Sequence, residues 1–151
     1  MARRSKWWTK RPLDKNVILI HIGCMQAFLS APLVVQFHTG AALAALLLGL
    51  VQFALPKGGG RHRIMGYAWV GLMLGVALSS FGIVGAAGRY SWIHLISIYV
   101  LIALPVAVLH ARRGRITTHR WSMIGMFLGA LVITGLFTLL PGRLMHGVVF
   151  G

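Results

Sequence analysis

Four histidines fall in a doubled pattern: His38 and His62 lie 24 residues apart, and His94 and His119 lie 25 apart. In each pair the first histidine begins a long apolar run. The second adjoins an arginine, Arg63 or Arg120, in a short basic loop that opens the next run. An ionisable side chain inside a bilayer is costly and is usually kept there for chemistry. Imidazoles repeated at the spacing of a helical hairpin suit axial ligation of haem iron. That chemistry needs ring nitrogens facing each other across a flat macrocycle, offered by alternate helices of a bundle. The expected pairs are His38 with His94 and His62 with His119, holding one or two haem b groups. The cofactor's carboxylates need cations. Arg63 and Arg120 stand beside His62 and His119, and Arg89 and Arg143 are the candidates at the opposite end. A plainer reading stands beside this one: a histidine at a helix start near the headgroups can serve only as an interfacial polar group. His62, between two arginines, is the most open to it.

Missing residue types narrow the field further. The single acid of the chain is Asp14, so no apolar run contains the carboxylate of a proton- or cation-coupled transporter. Paired carboxylates, a nucleophile elbow, a phosphate loop and a Cys/His zinc spacing are all absent from the sequence. The lone Cys24 lies in an apolar run, where a thiol behaves as a small hydrophobe. Net charge is +14, but the cations fall between apolar runs and give nucleic acid no basic face to bind. Anionic lipid headgroups and cofactor carboxylates are the fitting partners.

The elements that must position the histidines are membrane spans. Hydrophobic residues make up 58% of the 151 positions and charged ones only 11%, the composition of an all-α, polytopic membrane helix bundle. From Asn16 to Pro56 the sequence is almost continuously apolar. As one helix it would reach about 60 Å, roughly twice the hydrocarbon thickness, so it must fold back. Ser30-Ala31-Pro32 is the expected turn, with Ser30 as cap and Pro32 at the helix start. The expected spans are 15–30, 32–56, 63–87, 92–111 and 119–140, the fourth interrupted by Pro105 and the fifth capped by Thr118. Residues 1–31 form a basic tail and membrane anchor, and residues 32–151 a four-helix transmembrane core of two hairpin repeats.

Five spans place thirteen of the fifteen Lys/Arg residues on one side, leaving Arg89 and Arg143 on the other. The positive-inside rule then sets the N-terminus in the cytoplasm and the C-terminus in the periplasm of a bacterial inner membrane. Tyr67, Trp69 and Trp121 are expected in one interfacial belt, and Tyr90 and Trp92 in the other. Gly71-x-x-x-Gly75 and Gly125-x-x-x-Gly129 are expected as close helix contacts, and Met73, Met123 and Met126 as core. His38, Ala41, Ala42, Ala45, Gly49 and Gln52 share one stripe, small between its polar ends, which would leave a groove for a macrocycle. The corresponding stripe from His119 runs through Met123, Met126, Ala130 and Phe137. His21 and His110 lie off the repeat, and His146 is a substitute ligand at the outer face.

From Gln36 to Gly151 the chain resembles a bacterial family of small membrane proteins catalogued as domain of unknown function 2306. The resemblance is carried by FHTGAALAALLLGLVQFALPKG, HRIMGYAWVGLMLGVALSSF, SWIHLISIYVLIALPVAVLHARRGR, HRW and GALVITGLFTLLPGRLMHGVVFG, and it covers roughly three-quarters of the sequence. It implies a four-span core to which residues 1–31 are added. Where family members often have a histidine after Ser-Phe, this chain has Phe81-Gly82-Ile83-Val84. The alternating-histidine plan is similar in architecture to the two-haem transmembrane cytochromes b. It departs from them in placing His62 and His119 at helix ends. Two functions are expected from these features. One is a haem b electron carrier that exchanges electrons with quinone or a redox partner. The other is a non-catalytic accessory subunit of a larger respiratory or photosynthetic complex, docked through the basic, tryptophan-bearing residues 1–11.

Overall fold

The computed structural model describes residues 28–83 and 93–141, together with Gly23, Gln26 and His146. The tail 1–11, most of the expected first span, His21, Cys24, Arg89, Tyr90, Trp92 and Arg143 lie outside the described residues.

A chain crossing lipid must satisfy its backbone polar groups within each segment, and a helix does so. The described part is helical, without strands, and four of its helices are long and apolar enough to cross a membrane. These are α1 (Leu33–Ala54), α2 (Gly60–Ser80), α3 (Ile93–Arg112) and a composite fourth span. The fourth span joins α4 (Ile116–Met126), a π-helical segment (Phe127–Ile133) and α5 (Thr134–Thr138).

Short turns make the neighbours antiparallel. The expected break at 30–32 is present: the helical turn ends at Ser30, and Pro32 caps α1. Gln36 ties this entry down by donating its amide to the carbonyls of Leu29 (2.9 Å) and Ala31 (2.8 Å). Pro56 prevents α1 from continuing, and Gly58, at φ +92°, supplies a backbone geometry that other residues resist. After α3, Gly114 at φ +73° takes the left-handed position of a Schellman turn, in which Arg115 N–H donates to His110 O (2.9 Å) and Gly114 N–H to Ala111 O (3.2 Å). That turn restarts the helix at Ile116 with Arg115 as its cap, so Thr118 lies inside the first turn and not at its edge. The α2 helix ends at Ser80, short of the expected 87.

Each helix of the sequence α1–α4 packs on the next, and the π-helical segment touches both α1 and α3, which closes the ring. Inside lipid, such association rests on close packing more than on the hydrophobic effect. The core follows from the buried faces: Ala41, Ala45 and Gly49 on α1, Trp69, Met73 and Ala77 on α2, Val100, Leu104 and Ala107 on α3, and Met126, Phe127 and Leu131 on the fourth span. Met73 and Met126 are core, as expected.

Three expectations are overturned here. Trp69 is not interfacial. It is 3% exposed and its indole N–H donates to Ala45 O at 3.0 Å across the α1–α2 contact. Tyr67 and Trp121 do face outward, at 52% and 67% exposure. Of the Gly-x-x-x-Gly pairs only Gly75 meets another helix, where a Cβ would lie 3.4 Å from the Phe37 ring, an ordinary contact. A Cβ at Gly71, Gly125 or Gly129 would meet nothing within 4 Å, whereas one at Gly49 would come within 2.5 Å of the Phe127 ring and 3.0 Å of the Trp69 indole nitrogen. Finally, the fourth span does not keep a 3.6-residue period. The π-helical segment shifts its inner face, so Leu131 is buried at 7% while Phe137 turns outward at 40%. Thr134 follows that register by donating its hydroxyl to Gly129 O, five residues back.

Candidate functional site

The antiparallel order sorts the described histidines into two groups. His38, near the start of α1, and His94, near the start of α3, belong to the end where α2 finishes. His62, in the first turn of α2, and His119, in the first turn of α4, belong to the end of the two basic loops. Each group therefore draws on alternate helices of the ring.

At the far end from the basic loops, His38 is half-buried and its Nδ1 lies 3.0 Å from Ser79 Oγ. Ser79 Oγ also lies 3.0 Å from Val76 O. With the hydroxyl donating to that carbonyl its oxygen accepts from His38, the tautomer in which Nδ1 carries the proton and Nε2 keeps its lone pair. His94 is buried (8% exposed) and its ring lies 5.8 Å from that of Phe81, centroid to centroid. Between the two histidines, Ser80 on α2 meets Ser97 on α3 at 2.7 Å, and Ser80 also bonds Ala77 O at 2.7 Å. Buried hydroxyls in lipid need partners, and these serines supply one another. Sequence reading missed all three serines. Their sole signal was an adjacent pair, Ser79-Ser80, and a third serine seventeen positions on, Ser97, in runs that otherwise read as apolar.

At the basic end, His119 Nδ1 lies 2.9 Å from Ala107 O on α3. A carbonyl only accepts, so Nδ1–H is the donor and Nε2 again keeps the lone pair. A carbonyl or hydroxyl that fixes one ring nitrogen is the arrangement that orients a histidine as a metal ligand through the other. His62 differs. Its Nδ1 faces the amide nitrogen of Gln52 at 3.1 Å, and as placed that amide donates to the ring. His62 lies within electrostatic reach of His119 and of Lys57. Arg63 and Arg120 are both exposed beside their histidines. His146 donates Nδ1–H to Leu139 O at 2.8 Å, the same pattern as His119.

Between the two ends the expected groove is filled. Trp69 and Phe127 press against Gly49, and Phe127 meets Phe53 edge-on at 5.0 Å. The small residues of α1 make room for these rings, so any macrocycle would have to sit toward an end of the bundle. Among the described residues no three His, Cys, Asp or Glu side chains gather as ligands for a bare metal ion. A pocket of about 360 Å³ opens at the basic end between the close of α1 and the first turn of α2, with His62, Gln52 and Met65 in its wall.

No curated protein and no solved structure matches the chain. A family described as "Predicted membrane protein (DUF2306)" matches residues 35–147, which span all four helices and every histidine placed above. The expected family resemblance is thereby met: the chain is a membrane protein and belongs to this family.

Proposed function

We propose that this bundle is a haem b protein that carries electrons within or across the bilayer. The observation that supports the reading is the orientation of His38 and His119, one at each end, each with Nδ1 held by a group on the neighbouring helix and Nε2 facing elsewhere, His119 through an obligate carbonyl acceptor. The donor set fits the group: neutral imidazoles in an acid-free span region suit haem iron, which supplies reversible one-electron chemistry when bound. His38 with His94 would hold iron at the far end, and His62 with His119 at the basic end. Ser79 and the Ala107 carbonyl orient their rings. Arg63 and Arg120 offer guanidinium donors to carboxylates at the basic end, as Arg89 and Arg143 would at the other. The apolar layer of Trp69, Met73, Leu104, Met126 and Phe127 keeps water from joining the two ends.

The same reading assigns the basic end to the cytoplasmic face of a bacterial plasma membrane, from the bias of Lys and Arg. It adds residues 15–30 as a fifth span, and quinone or a small redox protein as the exchange partner. Purified protein should show a Soret band with sharp reduced-state bands. Either His38→Ala or His94→Ala should abolish the far-end component while the folded bundle persists in size-exclusion chromatography. A colourless, well-folded preparation from cells supplied with haem would reject the proposal and leave a scaffold subunit as the better account.

A further inference from the structure

We infer that the pocket at the basic end is a seat for the headgroup of an acidic glycerophospholipid. It lies between Leu55 and the first turn of α2, where the spans end, and has a volume of about 360 Å³. Its lining combines the cations Lys57 and Arg61, the polar Gln52 and His62, and the apolar Leu55 and Met65. Lys57 is held there because its ammonium donates to Phe53 O at 2.6 Å, which uses one of its three protons. The exposed guanidinium of Arg61 adds a planar set of donors suited to phosphate oxygens.

Charge requires an anion from outside the chain. Lys57, Arg61, Arg63, Arg112, Arg113, Arg115 and Arg120 all belong to this end, and the sequence contains no Asp or Glu after Asp14. Arg112 donates to the Tyr67 hydroxyl at 3.1 Å and is not among the residues that line the pocket. A soluble phosphate would need only the cations. The apolar lining asks for more: Leu55 follows Val51 by one helical turn and Met65 adjoins Ile64, two side chains that face outward at 48% and 73% exposure. An amphiphile with its phosphate between Lys57 and Arg61 and an acyl chain along Val51 and Ile64 satisfies both halves. This assignment does not depend on haem, and each proposal can fail without the other.

The test uses the full chain in detergent, with native mass spectrometry of added phosphatidylglycerol against phosphatidylcholine. Wild-type protein should retain phosphatidylglycerol preferentially. The double variant Lys57→Gln/Arg61→Gln should lose that preference by about tenfold or more, the loss expected for two interfacial cations. Arg113→Gln/Arg115→Gln removes the same charge from the other loop and should keep it. Equal loss in both doubles would reduce the effect to an unlocalised field and overturn the site. So would a wild type without preference, or displacement of the lipid by excess inorganic phosphate, which would assign the pocket to a soluble anion. Thermal melts of both doubles accompany the measurement, and the single variants Lys57→Gln and Arg61→Gln replace either double that melts early.

Discussion

The two ends of the bundle solve the same problem, holding a histidine on one helix against its neighbour, by different means. At the far end the partners are hydroxyls between helices: Ser79 hydrogen-bonds His38, and Ser80 meets Ser97 in the buried interior. At the basic end the partners are a backbone carbonyl and an amide beside an open pocket, and cations crowd the rim. A buried hydroxyl pair in lipid has no water to fall back on, so its geometry is fixed by necessity. A polar group at an open rim can exchange its partner for solvent or a headgroup. The far end is built for constancy and the basic end for exchange with what lies outside.

Removing the layer between the ends would break this contrast most severely. Trp69→Ala deletes a buried indole and its bond to Ala45, and the cavity and lost contacts should cost on the order of 3 kcal/mol. Unfolding in detergent should shift accordingly, and spectra from both ends should broaden together. Gly49→Val attacks the same layer by overfilling it. The new methyl groups would collide with Phe127 and Trp69, a penalty of about 1–3 kcal/mol in the same assay. Failure of either variant to lower the melting temperature would mean that the layer does not join the helices as described.

Smaller changes sharpen the contrast between ends. Ser79→Ala takes away the acceptor of His38, a loss of about 1 kcal/mol, and should alter the far-end spectral component alone. Ser79→Thr should restore it. An unchanged spectrum in Ser79→Ala would remove the serine from any orienting role. Tyr67→Phe breaks the Arg112 contact at the exposed rim and should cost at most about 0.5 kcal/mol, with no spectral change at either end. A larger effect would show that the basic end is as rigid as the other.

Much of this arrangement was legible from residue order. The four-helix core, the breaks at Pro32 and Pro56, the basic loop after residue 111 and the sorting of histidines by end follow from span length and loop chemistry, which are local. Trp69 was not legible, because tryptophan in a membrane sequence reads as interfacial unless the facing helix is known to offer Gly49 and the Ala45 carbonyl. The close approach at Gly49 was hidden for the same reason: an isolated glycine looks weaker than a Gly-x-x-x-Gly pair until its neighbour's ring is placed. The π-helical segment at Phe127–Ile133 carries no proline or glycine pair to announce it, and its one extra residue moved every later position on the fourth span. The tautomers of His38 and His119 rest on partners 41 and 12 residues away, beyond any local pattern.

The indole of Trp69, wedged against Gly49 and Phe127, also bears on the energetics of the host membrane. In any membrane that holds a proton gradient, an inserted helix bundle with a continuous polar path would be a leak. This plug contains no titratable side chain: Ala45, Met73, Leu104, Met126 and Phe127 surround the indole. Among the described residues, this layer therefore offers no side-chain relay between His119 and His38.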